Sequence, residues 1–480
     1  MTSPKTGTFD LWPTPSPPPT RTSPARLGGA TPQSTQTLLQ VLQTNHEKWH
    51  VFFDDLGRHN HIPHHTLAIW ALGGNEDMIQ AGYDKNEWMQ RPRGTSPESI
   101  TKENFYEHLG DRSYYNAYVD FFATLIQTEG PARALEGYIF SSQANFGSTN
   151  KEGRHPEMLS RLAAAILHAQ IHIGYGAEFG LPGMFVEGLA MAAISPVYST
   201  PIIPPALFPP DTSQSVPAAN GKNAHPQANG STNTHAFDIL SRIIQDPRME
   251  SPKKLGIANL FRSVVEKCGD AVYQYASQWT LDTTNPEAVQ RKVEELQWTA
   301  TLMYAVPGIK AEGGEFNADF IALHFVTSAL FLPSLVGHLS PKSQVILLRS
   351  YFAISLAWFI ALGRPTLDIQ GFFGSEATRT LKKEPNPWLP IIENAITHPD
   401  DHIPKCQRAL LHYATLYGTR PRGSFAETEL PGAEILDGTL FVRAARLTME
   451  RVGRERKDAP KLQIYWDRRT FIEGAEEDSY

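Results

Sequence analysis

Two histidines four residues apart, His168 and His172, lie in Leu162-Ala-Ala-Ala-Ile-Leu-His168-Ala-Gln-Ile-His172-Ile-Gly-Tyr-Gly176. Ala and Leu dominate the stretch and Pro is absent, which predicts a helix. The spacing sets both imidazoles on one face, one turn apart. Leu167, Ile171 and Ile173 make the surroundings apolar on all sides, and a helix apolar all round is buried. Buried histidines at this spacing either present nitrogen ligands to a metal or are core residues satisfied by hydrogen bonds.

The same trick recurs elsewhere. In Arg58-His-Asn-His-Ile-Pro-His-His-Thr-Leu-Ala-Ile-Trp-Ala-Leu-Gly-Gly74, four histidines (His59, His61, His64 and His65) crowd the start of an apolar helix. Asn60 and Pro63 fit its beginning and Gly73-Gly74 its end. His65 lines up with Ile69 and Leu72, the apolar side. His324 sits in the middle of the apolar run from Asp319 to Pro333. In the 398–418 stretch His402 and Lys405 share a face three apart, and Lys405 lines up with Ala409, His412 and Leu416, so its amine points inward. The candidate ligands are therefore His65, His168, His172, His324 and Lys405, with His61 or His402 able to replace one of them. Lys405 has an alternative use, a salt bridge to Asp401. Catalytic residues proper are not assigned. His225 and His235 fall in or beside a polar segment and are set aside.

A set rich in imidazole and poor in thiolate suits zinc, copper, iron or nickel. Three histidines with an open position suit zinc hydrolysis, whereas more nitrogen with an anionic ligand suits redox iron. Composition narrows the field further. A net charge of −7 without long runs argues against nucleic acid as partner. Cys268 and Cys406 are the only cysteines, far apart, which excludes a disulfide scaffold and suits a reducing compartment. No apolar run follows Met1 and no uninterrupted apolar stretch of membrane length occurs, so a cytoplasmic protein without a span is expected. Gly174-Tyr-Gly-Ala-Glu-Phe-Gly180 misses the dinucleotide fingerprint by one residue and follows a helix rather than a strand. No phosphate loop and no nucleophile elbow occur.

The elements that must position these residues are helices. Strand signals are scarce and no internal repeat is present, so the class is mainly α, one large helical domain with a buried His-rich site. Residues 1–34, rich in Pro, Ser and Thr, are expected as a disordered tail. The domain spans 35–470, with a disordered insertion at about 201–233, and 471–480 form a C-terminal tail. Glu103 to Gly110, Tyr114 to Ile126, Pro131 to Phe140, Phe185 to Ala193, Pro286 to Val306 and Pro341 to Leu362 are further expected helices.

The quoted motifs together resemble the questin oxidase-like family: His59-Asn-His-Ile-Pro-His-His, His168-x-x-x-His172-x-Gly-Tyr-Gly with Glu178-Phe, Asp319-Phe with His324, and Asp401-His-x-x-Lys405-x-x-Arg408-Ala-Leu. The resemblance covers roughly residues 35 to 470. It implies an oxygen-dependent oxidoreductase of fungal aromatic polyketide pathways that opens the ring of an anthraquinone or inserts oxygen into a polycyclic ketone. It also implies Baeyer–Villiger-type oxidation with NADPH, and a flat polycyclic aromatic as the partner.

The residues themselves add a cofactor to that expectation. Non-haem iron held by histidines activates dioxygen without flavin, and a helical core rich in Phe, Tyr and Trp can stack a flat polyphenol. An all-histidine site would bury an uncompensated charge, so an anionic ligand is expected. Glu178, Asp319 and Asp401 are ordinary candidates, and a carbamate on Lys405 is a less ordinary one. Three alternatives stand beside the iron oxygenase: a zinc hydrolase, a non-catalytic binder of polycyclic ligands, and an NADPH-dependent Baeyer–Villiger oxidase without bound metal.

Overall fold

Helices form where apolar spacing predicts them, and their ends carry ordinary capping chemistry. Asn75 and Asn285 cap Glu76–Glu87 and Pro286–Ala305 with their side chains, and Ser340 caps Pro341–Ala361. The computed structural model describes residues 9–208, 233–251, 255–309, 316–379, 384–453, 465–467 and 471. Among them β-structure is confined to three isolated bridges, and the fold is mainly α, one domain, as expected. Pro341–Ala361 is long and apolar enough to cross a membrane, but 83% of that window is buried against the rest of the protein. It is a core helix.

Four expectations change. The 102–110 segment turns repeatedly instead of forming a helix. The Thr101 and Asn104 side chains cap the start of the segment, Asn104 Oδ1 accepting from the Thr101 amide at 2.7 Å and Thr101 Oγ1 from Glu103. Its backbone then closes turns, with the Glu107 amide donating to Asn104 O at 3.0 Å and the Asp111 amide to His108 O at 3.2 Å. The helix Ala164–Phe179 does not run smoothly from Leu162, because Ala165, Ile166 and Leu167 have φ of 46°, 59° and 64°. The supposed tail is ordered from residue 9 onward. Trp12 is buried against Gly183, the Ser16 amide donates to Phe179 O at 2.8 Å, and Arg26 lies over the Trp70 ring. A Pro-rich segment needs no hydrogen bonds of its own to lie extended on a surface, so composition alone does not show whether it docks. The first part of the expected insertion likewise packs: Thr200–Ile202 and Pro205–Leu207 are short helical turns that bury Ile202 and Leu207. Its remainder, 209–232, lies outside the described residues, as does the expected tail from 472.

Four helices carry or adjoin the expected histidines: Ile62–Ala71, Ala164–Phe179, Ala322–Ala329 and His402–Tyr417. Each packs on two of the others, so they close a ring. Every one carries histidine to its inside.

Candidate functional site

His61 is the residue before its helix, yet its side chain does not cap it. Asn60 Oδ1 does that work, accepting from the Ile62 amide at 3.0 Å, and the imidazole is free to turn inward. A backbone bridge from Phe52 to His59 and the Asn60 amide donating to Val51 O fix the preceding loop. On the second helix the left-handed turn at Ala165–Leu167 brings Ala165 O back onto His168 Nδ1. Such a backbone costs a non-glycine residue roughly 1–2 kcal/mol, and strain of this kind gathers at functional sites. On the third, Asp319 Oδ1 accepts from the Ile321 and Ala322 amides at 2.9 and 2.7 Å, which starts the helix carrying His324. On the fourth, Asp401 precedes the first turn, and its carboxylate reaches across to the first helix.

The rings meet in one place. His168 stacks on His59 at 4.2 Å and lies parallel to His61 at 4.9 Å, and His324 is tilted against it at 4.9 Å. His402 stands perpendicular to His61 at 4.8 Å and 5.3 Å from His324. Phe320 closes the cluster against both His324 and His402. Burial drives the basicity of most of these rings down: His61 falls to about 4, and His59, His168 and His324 lie well below the ordinary histidine range. His402 is the exception. Burial lowers it too, but the Asp401 and Asp400 carboxylates outweigh burial and raise it.

Hydrogen-bond partners decide which nitrogens are available. His61 Nδ1 is 2.7 Å from Asp401 Oδ2, His324 Nδ1 donates to Phe320 O at 2.7 Å, and His168 Nδ1 donates to Ala165 O. A neutral imidazole carries one hydrogen, so the Nε2 atoms of His61, His168 and His324 all hold bare lone pairs. Those of His61 and His168 are 2.8 Å apart, and those of His324 and His402 are buried without a partner. A metal-binding histidine ordinarily gives its other N–H to a carboxylate or a backbone carbonyl in this way. With ligand bonds of about 2.0–2.1 Å, two nitrogens at this separation fit neighbouring positions on one ion. His61, Asp401 and His402 also offer ligand atoms within 4.8 Å of one another. The donor set therefore fits a metal.

The expected ligands divide. His168 and His324 lie in the cluster. His172 lies one turn further along the same helix, with Nε2 2.8 Å from Glu187 Oε2 and Nδ1 3.0 Å from His64 Nε2, so both its nitrogens are engaged. His65 Nδ1 faces Asn86 Nδ2 at 3.4 Å beneath Gly82. Lys405 Nζ is 2.8 Å from Asp401 Oδ2, the salt bridge weighed as its alternative. Of the expected anions, Glu178 pairs with Arg408 and Asp319 caps a helix. Burial raises both to about 7, offset in part by Arg408 and by the backbone donors. Asp401 alone of the three reaches the rings, and its carboxyl is held well below the usual range, where His402, Lys405 and His61 overcome the cost of burial.

The Questin oxidase-like pattern matches residues 58–410, a span holding all these histidines. The chain belongs to the questin oxidase-like family. Relatives include an oxidoreductase, AflY, of Aspergillus parasiticus, 27% identical over 80% of this chain and 74% of its own. The Baeyer-Villiger oxidase ptaJ of Pestalotiopsis fici is 25% identical over 78% and 80%, and the questin oxidase of Aspergillus terreus 24% over 77% and 78%. This questin oxidase-like chain is accordingly an oxidoreductase. By position, His61 and His402 stand in the ring cluster, and His65 and His172 make their contacts beside it. Two partners carried no signal in their own stretches: Trp466, whose Nε1 donates to Asp400 Oδ1 at 2.8 Å, and Glu187, an isolated acid in the apolar helix Pro182–Ile194.

Proposed function

We propose that this chain opens a ring of an anthraquinone-type aromatic polyketide with dioxygen, at an iron held by His61, His168, His324 and His402. The observation that carries the metal is the facing pair of bare Nε2 atoms on His61 and His168, with the His324 and His402 nitrogens beside them. The relatives named questin oxidase and Baeyer-Villiger oxidase support the substrate class and the oxidative cleavage. Bound iron would supply the redox chemistry that activates dioxygen and the Lewis acidity that stabilises a phenolate.

The chain's own residues supply the rest. Asp401 orients His61 and places a negative charge beside the rings, which lowers the cost of burying a cation. Lys405 balances that carboxylate as an ammonium; as a carbamate it would itself become the anion at the cluster. The Ala165 and Phe320 carbonyls hold the His168 and His324 rings in register. Phe320 and the buried rings around it exclude water from the point where the nitrogens meet.

Metal analysis of the purified full chain, with oxygen uptake on a hydroxyanthraquinone measured with and without NADPH, tests the reading. One iron per chain and oxygen-dependent loss of the anthraquinone chromophore are expected. Stoichiometric zinc with hydrolysis and no oxygen uptake, or NADPH-dependent turnover by a metal-free protein, would overturn it.

A further inference from the structure

A second hydrogen-bonded line runs beside the cluster. His46 Nδ1 lies 2.8 Å from Glu187 Oε1, Glu187 Oε2 lies 2.8 Å from His172 Nε2, and His172 Nδ1 lies 3.0 Å from His64 Nε2. Exposure falls along it, from 13% for the His46 side chain through 4% for Glu187 to 1% for His172. His64 at its inner end is fully buried, its ring stacked on Tyr175 at 5.3 Å. The line stops at His64 Nδ1, which has no partner.

The one acid of this line sets where its hydrogens sit. Burial acts to raise the Glu187 carboxyl, but the hydrogen bonds from His172 and His46 bring it down to about 2. It is therefore a carboxylate, which only accepts, and His172 must carry hydrogen on Nε2. With that single hydrogen on His172, its Nδ1 is bare, and His64 donates to it from Nε2 at 3.0 Å. That leaves His64 with a lone pair on Nδ1 and no hydrogen there. A buried acceptor without a partner costs about 1–3 kcal/mol, and so asks for a ligand that fills it.

We propose that Glu187 is a positioning residue that locks two histidine tautomers in series, making His64 Nδ1 a fixed hydrogen-bond acceptor for a phenolic hydroxyl of the bound aromatic. The hydroxyl rests on the substrate class proposed above; the lock does not. A serine-protease aspartate orients its histidine by the same logic, and exchanging that acid for its amide yields the wrong tautomer. Here the lock passes through one more ring.

Nitrogen-15 spectra of the histidine-labelled full chain, chelator-treated so that no paramagnetic ion broadens the signals, read the tautomers directly. His64 is assigned by the signals lost in His64→Asn. Expected in the unsubstituted protein is hydrogen on Nε2 and a bare Nδ1. Glu187→Met removes the acceptor at His172 Nε2, so the His172 hydrogen moves to Nδ1, where His64 Nε2 accepts it, and the His64 pattern should invert while helicity is unchanged. Binding of alizarin, which carries hydroxyls, should weaken about tenfold in that variant, the loss of roughly one hydrogen bond. Binding of unsubstituted anthraquinone should not change. Hydrogen on His64 Nδ1 in the parent protein, as an imidazolium at His172 would impose, overturns the lock. So do unchanged tautomers in Glu187→Met, and equal weakening of both compounds overturns the acceptor role. A parent protein that binds neither compound defeats the substrate class instead, and the ring nitrogens alone then decide the lock.

Discussion

His61 and His168 stand 107 residues apart in the chain and turn their Nε2 atoms toward each other at 2.8 Å, with neither holding a hydrogen to give. Two lone pairs at that distance repel unless a cation lies against both. His61→Ala and His168→Ala should each reduce bound metal to under about a tenth of the parent's, because losing a ligand and its oriented partner costs several kcal/mol. His172→Ala should retain it, since that ring's nitrogens belong to Glu187 and His64. Elemental analysis of the three variants checks the contrast, and metal-replete His61→Ala would remove the pair from the site.

Lys405 separates two roles. As an ammonium paired to Asp401 at 2.8 Å, it should tolerate Lys405→Arg, with near-parent metal content and turnover. As a carbamate it should not, because arginine cannot form that adduct. Lys405→Met removes the pair's positive partner and leaves Asp401 buried, a change that typically costs about 3–5 kcal/mol. Urea unfolding with metal analysis of both variants distinguishes the roles.

Buried neutral histidines make the fold acid-sensitive. His61 and His65 sit at about 4, lowered first by burial. As pH falls from the ordinary histidine value of about 6.5 toward 4, the unfolded chain takes protons that the native state refuses, and stability drops. Each such group contributes about 1.4 kcal/mol per pH unit. His65→Gln should flatten the metal-free protein's stability profile by about that slope. Asp319 works the other way: burial raises it to about 7, so the native state keeps a proton that the unfolded chain loses, and its contribution falls as pH rises through the same window. Asp319→Asn should therefore steepen the acid loss. Urea midpoints from pH 4 to 7 test both signs.

The N-terminal arm should prove structural. Trp12 is buried against Gly183, where an added Cβ would collide with the indole. Trp12→Ala should cost about 3–5 kcal/mol. Gly183→Ala should release the arm, seen as new proteolytic cleavage before residue 31, and an arm as resistant as the parent's would refute the packing role.

Relief of backbone strain gives an opposite sign. Ala165 is exposed with φ of 46°, so Ala165→Gly removes a Cβ penalty of about 1–2 kcal/mol and sacrifices no buried surface. The gain, less the greater freedom of glycine in the unfolded chain, should raise the thermal midpoint by a degree or more. A lower midpoint would mean the turn is not strained.

Much of the fold was legible along the chain because helices are local. Apolar periodicity and capping residues predict Pro286–Ala305 and Pro341–Ala361 to within a residue or so of their observed ends. The exceptions were also local: past Thr101 the backbone closes turns three residues long, and three left-handed residues broke the approach to His168.

The sequence by itself determined the helical class, the family and the stock of inward histidines, since each follows from residue type and spacing. Only the tertiary structure decided which of those histidines work together. A helical spacing of four tells that His168 and His172 share a stripe, but not what stands opposite each. Glu187 stands opposite His172, and His61 opposite His168. A nitrogen becomes a ligand or a link in a hydrogen-bonded line according to whether its ring's other nitrogen meets a carbonyl, a carboxylate or another ring. Those partners come from helices and loops scores of residues away.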